Sequence, residues 1–303
     1  MWSIDDLKKR AWGILSKNYW WALLAVFLTT VIQLAASSII SVISAIIMPT
    51  ATSGLSIIMA LAGESQNSTA RLAEYIALMS ATAFMQLLVS AISIAVIMFV
   101  SAPLNYGLTN FFMQQRNHEK YTNMETIFSA FRKGSYKRVT GGMAWGYLWQ
   151  YIWSFVSTVI FIVPTVSLIF GSVAIATFSD DAEATGIAGL IIMLVCSLLF
   201  ILALIVYLMI VINRMYAYLY IPFLLVDQPQ LSYREVMNMS KKMTDGQKGR
   251  MFILDLSFIG WWLLVMLTCG YLSIALLPYI QTTRVEMYFA RKAEMEEQIT
   301  VSE

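Results

Sequence analysis

The chain has 303 residues, of which 59% are apolar and only 13% are charged. Ordinary soluble domains are about 45–50% apolar and about 25% charged, so this composition excludes a soluble globular enzyme. Twenty Lys and Arg residues against 18 Asp and Glu residues give a net charge of +2, which carries no nucleic-acid signature.

Five long runs without a charged residue follow one another along the chain. A helix needs about 20 apolar residues to cross a hydrocarbon core about 30 Å thick, and every run is longer than that. The sequence therefore predicts a polytopic membrane protein. The five runs are 19–63, 75–115, 139–179, 184–213 and 256–283.

The Lys and Arg residues fall into four clusters that are separated by pairs of apolar segments. All of them except Arg71 and Arg214 belong to a cluster, and the positive-inside rule places the four clusters in the cytoplasm. The sequence therefore predicts an all-α membrane helical bundle of about six transmembrane helices in three hairpins. Both termini are expected to be cytoplasmic, in a multi-pass protein of the cell membrane.

The predicted segments form a single integral membrane domain. They are a cytoplasmic amphipathic helix (1–18), the first hairpin (19–112), a cytoplasmic segment (113–139), the second hairpin (140–226), a second amphipathic helix (227–250), the third hairpin (251–290) and a cytoplasmic tail (291–303). Within the third hairpin, two short spans are expected to break at 268–270. Pro103 and Pro222 are expected to turn their helices towards the interface, because proline removes a backbone hydrogen bond.

The cytoplasmic segments have the pattern of surface helices. Ser3 is a predicted N-cap, and Ser232 with Glu235 forms a predicted capping box that opens a helix ending near Gly246. Basic amphipathic helices beside membrane spans lie in the headgroup plane. The expected partners are therefore membrane lipids, with anionic headgroups at the basic helices.

Polar residues recur at helical spacing on the first two predicted spans. Each set lies on one helix face, and Gln33 and Gln86 are each 14 residues from the predicted cytoplasmic end of their span. The two amides are therefore expected to meet at the same depth. Either an interhelical hydrogen-bond seam or a polar lining for a solute or headgroup would explain the pattern. The candidate seam is Gln33, Ser37, Ser41, Gln86 and Ser90.

Two further features concern helix packing. Asp255 lies at the apolar start of the fifth predicted span, where it either benefits from the helix dipole or pairs with Arg214 in an intramembrane ion pair. Gly142 and Gly146 form a G-x-x-x-G motif, which permits close helix approach within the protomer or in a dimer.

Enzymatic motifs are mostly absent from the sequence. The single histidine, His118, lies in a predicted cytoplasmic segment, which excludes His-paired intramembrane nucleophiles and two-histidine metal sites. No phosphate-binding glycine loop followed by Lys and Ser or Thr occurs. The sequence therefore predicts neither an enzyme nor a cofactor.

The run Leu254–Leu264, in which Asp255 precedes the pair Trp261 and Trp262, is followed by the segment Leu277–Ile280. With this pattern the chain resembles a bacterial membrane family, domain of unknown function 975. Three other pieces fit the same family pattern, at 7–20, 127–131 and 221–227. The resemblance implies a six-helix bacterial integral membrane protein with no assigned activity, and it supplies no catalytic residues.

Two classes of function are open at this point. One is a non-enzymatic accessory, scaffolding or protective membrane factor, with a membrane-protein partner or a homodimer as its assembly. The other is a conduit or carrier for a lipid or small amphiphile that uses the Gln33 and Gln86 seam. A continuous polar pocket favours the carrier, whereas a broad exposed apolar face favours the accessory factor.

Overall fold

Helices account for 89% of the computed structural model. It describes residues 2–62, 80, 84–117, 123–132, 134–177 and 182–302. No strand occurs within these ranges, so the all-α prediction is confirmed for the described part of the chain. His118 lies outside the described residues.

The contacts of the chain form two compact units. The first unit comprises Trp2–Thr140 and Leu264–Met287, and the second comprises Gly141–Leu263 and Tyr288–Glu303. The single membrane domain expected from the sequence stays a prediction.

The helices are numbered here in chain order. The first three are α1 (Ile4–Lys17), α2 (Tyr19–Ala62) and α3 (Phe84–Asn117), and a short 3₁₀ helix (Met124–Phe131) follows. The next helices are α4 (Tyr136–Thr177), α5 (Ala182–Ala217), α6 (Ile221–Asp227) and α7 (Tyr233–Thr244). The last three are α8 (Lys248–Leu256), α9 (Ile259–Leu267) and α10 (Leu272–Ser302).

Three stretches among the described residues are long and apolar enough to cross a membrane. They are Tyr19–Val42, Phe84–Asn117 and Met193–Asp227. The helices α8 and α9 pass the same test together, with a bend of 41° between them, which brings the number of candidate spans to four. These apolar helices are typical of a membrane protein, and the count of six spans remains a prediction.

Helix α1 is amphipathic, as the sequence predicts. Leu7, Ala11 and Leu15 are buried along one face. Ser3 is the N-cap residue, and its backbone carbonyl accepts a bond from the Leu7 amide at 3.1 Å. Its side chain makes no capping hydrogen bond.

Helix α3 continues through Pro103, contrary to the expectation of a turn there. A π-helical turn at Ile97–Ser101 precedes the proline, and the chain is α-helical again from Ala102 to Asn117. Proline lacks an amide hydrogen and crowds the carbonyl four residues earlier, and a π turn relieves both problems locally. Pro222 instead lies in the first turn of α6. Amides in that turn have no carbonyl partner within the helix, so a proline there costs no helical hydrogen bond.

Helix α3 packs closely against the 3₁₀ helix in the first unit. A Cβ atom on residue 107 would lie only 1.7 Å from the carbonyl oxygen of Ile127, so only glycine fits at Gly107. Nearby, the Asn110 amide donates a hydrogen bond to the Ser129 hydroxyl at 3.1 Å. The glycine therefore sets the distance between the two helices, and the polar pair holds them in register.

The G-x-x-x-G motif of α4 packs against α6 in the second unit. An added Cβ would lie 2.8 Å from Leu225 at Gly142 and 2.6 Å from Ile221 at Gly146. The motif therefore permits close helix packing within the protomer, one of the two roles that the sequence suggests for it.

Helix α7 begins with the predicted capping box. The Ser232 hydroxyl accepts from the Glu235 amide, and the Glu235 carboxylate accepts from the Ser232 amide at 2.8 Å. Gly246, just beyond the helix, has a φ of 68°, which suits glycine and ends the helix where the sequence predicts. The Ser240 hydroxyl donates to the carbonyl of Ala217 at 2.9 Å, which satisfies a free carbonyl at the end of α5.

The helix breaks at 268–270, as predicted. Between α9 and α10, Cys269 and Gly270 have φ values of 50° and 90°, and this left-handed backbone cannot continue a right-handed helix. A further break, at 257–258 between α8 and α9, has no counterpart in the sequence prediction.

Candidate functional site

Gln33 has a different partner from the one that the sequence predicts. Its amide donates to Asn105 at 3.3 Å, whereas Gln86 is exposed, and within the described residues the two glutamines form no hydrogen bond. Helix α3 continues to Asn117, 17 residues beyond the predicted end of the second span at Val100. Asn105 lies 19 positions after Gln86. At about 1.5 Å per residue, the partner of Gln33 therefore lies roughly 28 Å further along α3 than the sequence predicts.

The serines of the predicted seam form hydrogen bonds within their own helices. Ser37 donates to the Leu34 carbonyl at 3.0 Å, and Ser41 donates to the Ser37 carbonyl at 3.2 Å. Ser90 donates to the Gln86 carbonyl at 2.8 Å. Such bonds to carbonyls three or four residues earlier satisfy the hydroxyls locally. The hydroxyls of these three serines are therefore satisfied without a bond to either glutamine side chain.

Asp255 and Arg214, which the sequence pairs, have separate partners in the second unit. A carboxylate oxygen of Asp255 accepts from the Tyr216 hydroxyl at 2.7 Å. The guanidinium of Arg214 lies over the ring of Trp153, with Cζ 3.6 Å from the ring centroid. Residues 214 and 216 are about 200° apart around an α-helix, so α5 presents Tyr216 rather than Arg214 to α8.

A cleft of about 200 Å³ in the second unit lies beside Arg214. Gln150 and Ser154, one turn apart on α4, line it with polar groups, and Val211 of α5 adds an apolar wall. The stacked ring of Trp153 also borders the cleft. It combines a cation, an amide and a hydroxyl in one partly enclosed space.

Tryptophans on α4 hold two cations in this region. Trp145, Trp149 and Trp153 follow one another at intervals of four residues and so share one helix face. Arg214 covers Trp153, and the Nζ atom of Lys241 lies 6.0 Å from the Trp149 ring. Both contacts have cation–π geometry, which keeps the two cations on one side of α4.

The two cations make this region positively charged. Burial and the nearby charge of Arg214 both lower the pKa of Lys241. Within the described ranges neither Arg214 nor Lys241 belongs to an ion pair. The arrangement therefore favours binding of an anion.

Carboxylates elsewhere form contacts between helices. In the second unit, Asp227 at the end of α6 accepts from Lys292 at 2.6 Å and from the Tyr288 hydroxyl at 2.9 Å. In the first unit, Glu286 forms an ion pair with Arg116. No group of three or more His, Cys, Asp or Glu side chains within the described residues could hold a metal ion.

The tryptophan face and the role of Tyr216 are missing from the sequence prediction. The spacing of four residues between tryptophans is a signal that could have found the first. The Tyr216 contact has no such signal, because it depends on how α5 and α8 are rotated against each other.

The described part of the chain is helical, with long apolar helices typical of membrane proteins and a cationic, aromatic cleft. A family model described as "Protein of unknown function (DUF975)" matches residues 104–294, which is more than half of the chain. The chain belongs to this family, as its sequence pattern suggested. The piece at 7–20 lies outside the matched residues. No curated protein and no solved structure matches the chain.

Proposed function

We propose that this protein is a non-enzymatic accessory or scaffolding factor of a bacterial cell membrane. The observation that carries the proposal is the exposed face of α5. The candidate span Met193–Asp227 has none of its most apolar stretch of 18 residues buried inside the chain. An apolar surface of this extent needs lipid or another membrane protein around it.

The side chains of that surface lie along one side of the helix. Leu194, Leu198, Leu202, Ile205 and Met209 follow at helical spacing, and all of them are exposed. The charged groups described above join helices to one another, as Asp227 does with Lys292. A helix with such an exposed apolar face suits a factor that holds or protects other membrane components.

The proposed topology has about six spans, with both termini in the cytoplasm. The basic surface helices α1 and α7 then lie on anionic headgroups, where each basic side chain near the surface contributes about 1 kcal/mol. Helix α1 supports this placement because its last turn carries the basic residue Lys17. Helix α7 supports it in the same way, with Lys241 and Lys242 in its last turn.

Labelling of single cysteines in intact cells tests the topology. Arg234→Cys and Asp181→Cys, made in a chain in which Cys196 and Cys269 are serine, should react from opposite sides of the membrane. Reaction of both from the same side would contradict the proposed topology.

Reconstitution into vesicles tests the accessory role against the carrier alternative. A fluorescent phospholipid should cross between leaflets no faster than in protein-free vesicles, and crosslinking in native membranes should recover a membrane-protein partner in amounts similar to those of the chain. Accelerated lipid transfer would favour a carrier and overturn the accessory role. Crosslinking that yields only the monomer would also overturn the accessory role.

A further inference from the structure

We propose that the cleft beside Arg214 binds the phosphate group of an anionic amphiphile. Arg214 is the principal charged ligand in this site, and Gln150 and Ser154 of α4 supply further polar contacts. The inference rests on the proposed membrane location, because it assigns a lipid-binding site to the last turn of α5, which belongs to a candidate membrane span.

The stacking of Arg214 prepares its guanidinium for an anion. Its Cζ atom lies over the Trp153 ring, 3.6 Å from the ring centroid. Stacking of a guanidinium on an aromatic ring restrains the side chain and leaves the donors at the guanidinium edge available. A guanidinium edge matches the oxygens of a phosphate in a bidentate manner. No carboxylate within the described ranges forms an ion pair with Arg214.

Lys241 adds a second positive charge to the same region. Its Nζ atom lies 5.6 Å from the Tyr218 ring, and Tyr218 is itself buried. The charge of Arg214 acts on Lys241 strongly enough to contribute to its lowered pKa. Two cations that repel each other are stabilised when an anion binds near them.

The cleft has the size and the surroundings for a headgroup. Its volume of about 200 Å³ is smaller than the roughly 300–1,000 Å³ of clefts that enclose a drug-sized ligand. A compact phosphate group can occupy it while the attached chains remain outside. Phe155 and Leu208, both exposed apolar residues on α4 and α5, offer a surface for those chains.

The location agrees with the chemistry of the membrane interface. Arg214 lies in the last turn of α5, directly after the uncharged run 184–213 and within the candidate span Met193–Asp227. Tryptophan side chains concentrate at the level of the lipid headgroups, where their rings are apolar and their N–H groups are wet. The phosphates of a bilayer are found at that same level.

Binding to the purified full chain in neutral detergent tests the proposal. The probes are short-chain phosphatidylglycerol, the matching diacylglycerol without phosphate, and inorganic phosphate, with bound probe measured by native mass spectrometry. We expect phosphatidylglycerol to bind and diacylglycerol not to bind at the same concentration. Binding of inorganic phosphate that depends on Arg214 would support the same site with free phosphate as its ligand.

Three variants locate the binding. Arg214→Gln should weaken the binding of phosphatidylglycerol by about tenfold, the usual effect of losing one charge-assisted hydrogen bond. Ser154→Leu, which fills the cleft without changing the charge, should weaken it as well. Arg234→Gln removes a positive charge from an exposed position on α7 and should leave the affinity within about twofold of wild type.

Equal binding by wild type, Arg214→Gln and Ser154→Leu would overturn the proposed site, as would equal binding of diacylglycerol and phosphatidylglycerol. The cysteine labelling described above reports on membrane topology without depending on this cleft. A failure of the binding site is therefore distinguishable from a failure of the proposed function.

Discussion

The hydroxyl of Tyr136 donates a hydrogen bond to the backbone carbonyl of Phe99 at 3.1 Å. In a regular α-helix that carbonyl accepts from residue 103, and residue 103 is a proline with no amide hydrogen to donate. The first residue of α4 therefore supplies the donor that Pro103 lacks, next to the π-helical turn of α3.

Tyr136→Phe removes this donor and keeps the ring that stacks on Phe131 at 5.7 Å. We expect the free energy of unfolding to fall by about 0.5–1.5 kcal/mol, the net contribution of one hydrogen bond. Thermal unfolding in detergent measures the change. Tyr271→Phe, at a highly exposed position, is the control and should leave the stability unchanged. Equal midpoints for the two variants would contradict a role for the Tyr136 hydroxyl.

Gly107→Ala should be strongly destabilising, because the new methyl group would collide with the backbone of Ile127. Overpacking of this kind costs about 1–3 kcal/mol, and the rigid backbone neighbour favours the upper end. The matched control is Gly260→Ala in α9, where an added Cβ meets nothing within 4 Å. That control should be neutral or stabilising by up to about 1 kcal/mol, since alanine is the better helix former. Similar unfolding midpoints for both variants would show that α3 and the 3₁₀ helix are not in close contact.

Cysteines introduced at Gln33 and Asn105 should crosslink readily, because the two native side chains are within hydrogen-bond distance. The pair at Gln33 and Gln86 is the control and should crosslink poorly. Both variants are made with Cys196 and Cys269 replaced by serine. A bifunctional thiol reagent with a short spacer joins the two cysteines, because cysteine is shorter than the native side chains, and the product is followed by gel mobility. Preferential crosslinking of the Gln86 pair would restore the register expected from the sequence.

Asp255 should be energetically coupled to Tyr216 more strongly than to Arg214. A hydrogen bond to a charged group contributes about 1.5–3 kcal/mol, and Tyr216 is almost fully buried where it donates that bond. Unfolding of Asp255→Asn, Tyr216→Phe and the double variant gives the coupling energy of the pair. The same cycle with Arg214→Gln is the comparison. A larger coupling in that second cycle would restore the ion pair that the sequence suggested.

The capping box of α7 should make stability depend on pH. Hydrogen bonds from the Ser232 backbone and hydroxyl lower the pKa of Glu235. A carboxylate whose pKa is lowered by folding stabilises the folded state while it is ionised. The full stabilisation is present above the pKa of an unfolded glutamate, about 4.3, and it is lost as the pH falls through the pKa of the folded state. The stability difference between wild type and Glu235→Gln should therefore be constant above about pH 5 and should shrink below about pH 4.3. It is measured as the difference between the two thermal midpoints.

Ser232→Ala provides the matched test of the same capping box. It removes the hydroxyl partner, so it should lower the stability by about 1 kcal/mol, the typical loss for an N-cap residue. It should also reduce the pH dependence attributed to Glu235. A full pH effect in Ser232→Ala would assign that effect to another group.

Features that depend on neighbouring residues were predictable from the sequence. The amphipathic face of α1 and the Ser232 and Glu235 capping box involve side chains no more than eight positions apart, so the helical repeat alone places them. The break at 268–270 likewise follows from residues beside it in the chain. The effect of Pro103 was not predictable, because the π turn and the Tyr136 hydroxyl compensate for the missing amide.

The sequence by itself determined that the chain is helical and apolar and which family it belongs to, because composition, run length and motif are properties of a linear order of residues. Only the tertiary structure decided which side chains meet. Gln33 contacts Asn105 because α3 extends to Asn117, and Arg214 stacks on Trp153 because of the rotation of α5. Helix register and rotation result from the packing of whole faces, and a shift of a few residues in either changes every contact between two helices.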